Sequence, residues 1–287
     1  MKHSRPRMTA LCEQQEIHSM KFTKMHGAGN DYVYVNCFEE TVEDPAGTAV
    51  KVSDRHFGIG SDGLILICPS ETCDVRMRMF NADGSEGKMC GNGARCVGKY
   101  AYDHGICRKD TITMESLGGV KVLKIHAEDG VCRSVTVDMG KAALTGPVPE
   151  KITVNGAEQE MIAVDVGNPH AVYYVSSREE LSGLDLEKIG PGYEHHPRFP
   201  EGVNSEFIYV EDPDNLYMRV WERGSGETLA CGTGATASAY ATMISGRCSR
   251  EVTMHLLGGD LKIRLADDGH LFMTGPAVEV FSGEIIL

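Results

Sequence analysis

The chain has 287 residues, 41% hydrophobic and 24% charged, a composition that can bury a core and excludes a wholly disordered protein. Lys and Arg total 28 against 41 Asp and Glu, and the net charge of −13 argues against a nucleic-acid partner, whose phosphates require a basic surface. No apolar run approaches the roughly 18 residues of a bilayer span, so no membrane partner is expected.

The stretch from Met1 to Phe22 holds no apolar run of signal-peptide length. With no export signal, the ten cysteines, scattered from Cys12 to Cys248, read as reduced thiols of a cytoplasmic protein rather than as a disulfide framework. No C-x-x-C occurs, so neither a structural zinc site nor any other metal site is expected.

Residues 1–20 are polar and without sustained period, and read as a flexible extension. Lys21 to Asn36 alternates toward a strand with Gly27-Ala28-Gly29-Asn30 as a tight turn inside it. Gly58 to Ile67 is a Gly-rich loop followed by the apolar run Leu64-Ile65-Leu66-Ile67, and Val75 to Phe80 alternates as another strand. Gly93 to Tyr102 reads as a helix stopped at Gly105. Thr111 to Met139 reads as short strands broken at Gly118-Gly119 and Asp129-Gly130.

Self-comparison carries more than any single element. Arg78-Met79-Phe80-Asn81, then Met89-Cys90-Gly91-Asn92-Gly93-Ala94, has a twin in Arg219-Val220-Trp221-Glu222, then Ala230-Cys231-Gly232-Thr233-Gly234-Ala235. Asn81 precedes Cys90 by nine residues, and Glu222 precedes Cys231 by nine. Gly118-Gly119 recurs as Gly258-Gly259, and Asp129-Gly130 as Asp268-Gly269. A steady offset near 140 residues means two copies of one fold. Duplication that merely doubled a core would repeat the apolar strands best, yet the polar Gly-rich loop repeats best. The second helix, Gly234 to Ile244, is Ala-rich and can be enclosed on all sides by strands.

A cysteine at a helix start sits where unpaired N–H groups and a partial positive charge stabilise its thiolate, and its pKa can fall from about 8.5 to roughly 3.5–7.5. The glycines that follow let backbone amides approach an anion such as a carboxylate. If the copies face each other, Cys90 and Cys231 meet across one cleft, one thiolate and one thiol on opposite sides of a carbon. That arrangement inverts a stereocentre: one sulfur removes a proton, the other delivers a different proton, and the amides hold the developing charge. Neither pyridoxal nor metal is needed, and no cofactor is expected. A redox pair would give Cys231 a nearby companion like Cys96, and a Cys-His hydrolase would leave the second cysteine unexplained. Inert core cysteines would not recur in matching Cys-Gly-x-Gly-Ala contexts.

These residues resemble the diaminopimelate epimerase family. The carrying segments are KMHGAGNDYV (24–33), DRHFGIGSDG (54–63), FNADGSEGKMCGNGARC (80–96), GNPHAV (167–172), FPEGVN (199–204), RVWERGSGETLACGTGA (219–235) and FMTGPAVEVFSGEI (272–285). The resemblance implies an α+β fold of two pseudo-symmetric domains, each a small antiparallel β-barrel-like sheet wrapped around a central helix. It implies halves at 21–132 plus 276–287 and at 133–275. The implied activity is a pyridoxal-independent isomerase that interconverts LL- and meso-2,6-diaminopimelate, in lysine and peptidoglycan-precursor synthesis. Residue by residue, Cys90 and Cys231 match the acid–base pair, and His170 and Glu222 match residues that tune the thiols. Gly91-Asn92 and Gly232-Thr233 match the amide cradles. Asn30, Asn81, Asn168, Asn204, Glu222 and Arg223 match substrate contacts. Gly63 stands where many members carry a substrate-contacting Gln, so that contact is in question. Asp31, Asp62 and Asp83 read as acids that brace loops. The implied partner is the small-molecule substrate, and the implied assembly a homodimer with the segment near Phe281 as a contact. The alternatives are a related cofactor-independent racemase of the proline or hydroxyproline type, which would not require Arg223, and a non-catalytic ligand-binding relative.

Overall fold

The structure, a computed structural model, describes residues 19–286. In the first half, β1 (Ser19–Gly27) and β2 (Asn30–Asn36) form a hairpin that turns through Ala28 and Gly29, both at positive φ (56° and 84°). Then follow α1 (Pro45–Ser53), β3 (Gly63–Cys68), β4 (Val75–Asn81), β5 (Glu86–Gly87) and α2 (Gly91–Asp103). The half continues with β6 (Thr111–Glu115), β7 (Lys121–Glu128) and β8 (Val131–Lys141).

The second half opens with β9 (Ala143–Leu144), β10 (Glu150–Val154), β11 (Ala157–Asp165) and β12 (Pro169–Tyr174). It runs on through α3 (Arg178–Gly183), α4 (Leu186–Glu194), β13 (Asn204–Asp212), β14 (Asn215–Glu222), β15 (Gly226–Glu227) and α5 (Gly232–Ile244). It closes with β16 (Glu251–Leu256), β17 (Gly259–Leu265) and β18 (His270–Pro276), and β19 (Val278–Ile286) returns to the first half.

The duplication holds at the level of register. Leu64 pairs with Phe80 in β3–β4, and 141 residues later Ser205 pairs with Trp221 in β13–β14. The sheets are mixed, not purely antiparallel as expected. β2–β3, β4–β6, β12–β13 and β14–β16 pair in parallel. A parallel pair needs a crossover, and helices supply it: α1, α2, α3 with α4, and α5 in turn. The strands join into one continuous 19-stranded sheet whose seam between halves is the β8–β18 pair. The boundary expected at 132/133 falls inside β8, and that at 275/276 inside the end of β18. β19 pairs along β1 from Ser19↔Ile286 to His26↔Val278. Of the extension expected over 1–20, Ser19 and Met20 belong to β1, with Met20 buried; the remainder lies outside the described residues.

Each half wraps a central helix. Ala94, Val97 and Ala101 of α2 and Ala235, Ala237, Ala239 and Ala241 of α5 lie in the same core cluster. Both helices begin two residues earlier than their sequence pattern predicts, because each cysteine is itself the N-cap. α5 is buried on all faces from Gly234 to Ala239, which small residues permit. Its Thr236 and Thr242 hydroxyls turn back onto the Gly232 and Ser238 carbonyls at 2.8 and 2.7 Å, leaving no polar group stranded there. α2 ends where Gly105 takes φ 76°. Outside the sheets lies a second layer. In the first half, α1 lays Ala49 and Val52 over Val33, Val35, Leu64 and Leu66. In the second, Tyr173, Tyr193 and Phe207 pack ring on ring at 4.9–5.5 Å. Among the described residues no helix is long and apolar enough to cross a membrane.

Candidate active site

Both cysteines cap helices in the manner of a Ser or Asp cap. Cys90, at φ −128°, ψ 118°, accepts the Gly93 N–H on its sulfur at 3.3 Å; Cys231, at φ −113°, ψ 110°, accepts the Gly234 N–H at 3.3 Å. The two helix starts abut. Asn92 Nδ2, in the first turn of α2, donates to the Ala230 carbonyl just before Cys231 at 3.0 Å. Met273 of β18 packs against both starts: a Cβ on Gly91 would lie 2.8 Å from its Cε, and one on Gly232 3.1 Å from its Sδ.

On the Cys90 side the thiol donates to Asn30 Oδ1 at 3.3 Å, and Asn30 Nδ2 donates to Asp62 Oδ2 at 2.9 Å. Arg55 Nη2 spans Asp31 and Asp62 at 3.1 Å each, and Lys24 pairs with Asp31 at 2.5 Å. The Asp62 carboxyl is pushed up by burial and by Asp31 beside it, whereas Lys24 and Arg55 pull Asp31 down against its own burial. On the Cys231 side the sulfur lies 3.4 Å from Thr233 Oγ1, which accepts from Asn168 Nδ2 at 3.4 Å. Asn168 Oδ1 in turn meets His170 Nε2 at 3.0 Å.

The expected depression of the thiol pKa values is overturned. Burial pushes the Cys90 thiol up and the Cys231 thiol well up, outweighing the Gly93 and Gly234 N–H groups that pull the other way. The helix start favours a thiolate, but taking a charge out of water costs more than one long N–H···S contact returns. Glu222 raises both thiols, so its carboxylate lies within electrostatic reach of each sulfur. Glu222 is itself raised by burial, against a bond from the Thr228 hydroxyl. The two sulfurs are not equivalent: Arg95 favours a thiolate at Cys90, whereas Glu206 opposes one at Cys231.

The other expected contacts divide. Asn204, buried and register-paired with His170, accepts the Arg223 backbone N–H at 2.8 Å, and Arg223 Nη1 donates to the Glu201 carbonyl at 3.0 Å from an exposed position. Asn81 is tied into its own turn, donating to Ser85 Oγ at 2.9 Å, and hydrogen-bonds to neither cysteine. Gly63 pairs with both Tyr32 and Asn81, and a Cβ there would fall onto the Phe80 carbonyl and within 2.8 Å of the Tyr32 ring. No side chain fits at that point of β3. Asp62, read as a loop brace, holds Asn30. Two residues escaped the sequence reading. Arg95 is fully buried behind Cys90, donating to Asn92 Oδ1 at 3.0 Å and the Pro276 carbonyl at 3.1 Å. Glu206 is fully buried against His170. Nothing in the sequence around either residue marks the depth at which it is buried. Among the described residues no group of three or more His, Cys, Asp or Glu is placed to hold a metal ion. Nine cysteines there are free thiols.

Twin halves around two central helices define a class of fold found in solved structures of several names. A PhzF-family phenazine biosynthesis protein of Bacillus anthracis matches with TM-score 0.73 at 17% identity, covering 94% of this chain and all of its own. A hydroxyproline epimerase of Agrobacterium vitis matches at 0.69 and 16%, covering 94% and 93%. These likenesses concern the fold. In sequence, the family model described as diaminopimelate epimerase matches residues 22–145 and 162–280. Relatives of that name from Acetivibrio thermocellus and Desulfovibrio desulfuricans are 55% and 52% identical, across 93% of this chain and 99% and 98% of theirs. One from Methanococcus maripaludis strain C5 is 51% identical over 93% of this chain and 99% of its own. The chain belongs to the diaminopimelate epimerase family.

Proposed function

We propose that the chain interconverts LL- and meso-2,6-diaminopimelate by proton transfer between two thiols on opposite faces of the α-carbon. The abutment of two cysteine-capped helix starts, in a chain of this family, carries the reading. Cys231 as thiolate takes the α-proton of the LL isomer, and Cys90 as thiol delivers a proton to the other face; the reverse reaction exchanges the roles. The N–H groups of Gly91-Asn92 and Gly232-Thr233 hold the α-carboxylate and take up the charge that builds there as the proton leaves. Burial presses both thiols toward the neutral form. The substrate's α-ammonium brings the opposite charge into the site and stabilises a thiolate beside it. His170 and Glu222 tune that balance. Arg223 offers a guanidinium fork to the distal carboxylate, and Asn30, Asn81, Asn168, Asn204 and Glu222 complete the contacts.

Each half, 21–132 with 276–287 and 133–275, contributes one thiol. The enzyme works as a homodimer in the cytoplasm. Exposed Val278, Val280 and Phe281 along β19 support the first statement, and the free thiols the second. The test is turnover in deuterated solvent. Wild type acquires deuterium at the α-carbon of diaminopimelate, and both Cys90→Ala and Cys231→Ala lose epimerisation. Full turnover in either alanine variant rejects the mechanism.

A further inference from the structure

The two halves run in matching register, and at one buried position they differ in kind. Leu64 faces Phe80 as Ser205 faces Trp221, so the next residues, Ile65 and Glu206, are equivalents. Both are 0% exposed. Each lies against the glycine three residues beyond its half's cysteine. A Cβ on Gly93 would sit 2.6 Å from Ile65 Cδ1; one on Gly234 would sit 2.7 Å from Glu206 Oε1 and 3.2 Å from Cys231 Sγ. A space that an isoleucine fills in one half therefore holds a carboxyl in the other, with the desolvation cost that every buried charge carries. Glu206 Oε2 has no hydrogen-bond partner among the described residues. Packing alone does not account for Glu206.

The other oxygen heads a chain of contacts. Glu206 Oε1 lies 2.6 Å from His170 Nδ1, and His170 Nε2 lies 3.0 Å from Asn168 Oδ1. Asn168 Nδ2 donates to Thr233 Oγ1 at 3.4 Å, and Thr233 Oγ1 lies 3.4 Å from Cys231 Sγ. The imidazole lies between the Glu206 oxygen and the Asn168 amide oxygen, which leaves the amide N–H groups facing Thr233. The amide then donates to the hydroxyl oxygen, which leaves the hydroxyl hydrogen free to point at the sulfur.

We propose that Glu206 is a positioning residue for Cys231: its buried carboxylate anchors His170 and, through Asn168 and Thr233, turns the last hydroxyl hydrogen onto the sulfur, favouring the thiolate. The inference rests on reading Cys231 as an acid–base thiol, but its test reads the sulfur and not turnover. The charged groups facing Cys231 are Glu222 from β14 and Glu206 from β13; His170 of β12 faces both of those carboxyls, and Tyr173 of β12 faces Glu206. Acting through space, the Glu206 carboxylate opposes a thiolate at Cys231. Acting through the chain of contacts, it favours one. The two actions have opposite signs, and a single substitution separates them.

The experiment uses the full chain with Glu206→Gln and follows iodoacetamide alkylation of Cys231 and Cys90, peptide by peptide, from neutral to alkaline pH. Cys231 is expected to react roughly tenfold more slowly at neutral pH, the effect of a one-unit rise in its pKa, with Cys90 unchanged. Thr233→Val, which removes the last link at a partly exposed side chain, should slow Cys231 equally, and the double variant should lose nothing further. Faster or unchanged reaction of Cys231 in Glu206→Gln, an equal slowing of Cys90, or additive losses in the double variant overturns the proposal. Should Glu206→Gln not fold, Thr233→Val decides alone: unchanged alkylation of Cys231 overturns it. Failure of the epimerase reading would appear elsewhere, as turnover that survives Cys231→Ala.

Discussion

The Cys90 thiol donates to Asn30 Oδ1 at 3.3 Å, across the 60 residues that separate them in the chain. Asn30 is held in that pose from behind, by Asp62 Oδ2 at 2.9 Å, which Arg55 clamps in turn. The hairpin turn of β1–β2 and the loop before β3 therefore set the orientation of the Cys90 sulfur through a single amide. Asp62→Ala frees that amide to rotate. A hydrogen bond to a charged group contributes about 1.5–3 kcal/mol, so kcat/KM for diaminopimelate should fall at least tenfold while Tm changes little. Unchanged steady-state kinetics would show that Asn30 needs no such support.

The two sulfurs sit in unequal electrostatic company and should ionise in order. Glu222 raises both thiols, but Arg95 behind Cys90 favours its thiolate whereas Glu206 adds a second carboxylate at Cys231, and the Cys231 thiol is pushed up further. At neutral pH without substrate, alkylation should therefore reach Cys90 before Cys231. Peptide mapping by mass spectrometry gives the order. Cys231 reacting first would mean that the hydroxyl of Thr233 and the Gly234 N–H outweigh two carboxylates.

Much of this site is legible in the chain because its chemistry repeats. Cys90 and Cys231 announce themselves through identical Gly-x-Gly-Ala sequels, and the offset between them predicts a register that the strands obey. What the repeat hides is the place where the copies diverge. Ile65 and Glu206 share one address in the fold, yet nothing in the strand around Glu206 distinguishes a buried carboxylate from a solvent-facing one, since strand alternation gives a face but not what covers it. The parallel pairings were hidden for a similar reason. Each depends on a crossover helix, and a short segment such as Pro45–Ser53 shows its helix only through the Asp44 cap, which accepts the Gly47 N–H, and the proline at its first position. The direction of the thiol shifts could not be read either, because a helix start is visible in a sequence and the depth at which it is buried is not.

Stability should decline on the alkaline side. Burial pushes the Cys96 and Cys132 thiols up to about 11 from an ordinary value of 9.0, and raises Cys90 and Cys231 as well. Above pH 9 the unfolded chain releases these protons while the folded chain retains them, so the folded state loses ground until its own thiols ionise. Their contribution is complete below pH 9 and fades between 9 and about 11. Tm measured across that window should fall, and Cys96→Ala, although less stable at pH 7, should show a shallower fall. A Tm that is flat between pH 8 and 11 would contradict the burial of these thiols.

Position 63 decides whether this chain can host the substrate-contacting Gln that its resemblance to the family suggests. In β3 the Gly63 backbone is flanked by Tyr32 on one strand and Asn81 on the other. An added Cβ meets the Phe80 carbonyl, which cannot swing aside without breaking the β3–β4 ladder, and the Tyr32 ring, which is buried. Gly63→Gln is therefore expected to destabilise the fold before it contributes any contact. Overpacking of this kind costs about 1–3 kcal/mol, and at roughly 2–4 °C per kcal/mol for large domains Tm should drop by several degrees. Because Asn81 is the strand partner of the shifted residue, KM for diaminopimelate should rise in the same variant. A Gly63→Gln protein with unchanged Tm and a lower KM would mean that β3 can draw away from β4 to admit the side chain, and that the glycine marks a lost contact instead of a closed one.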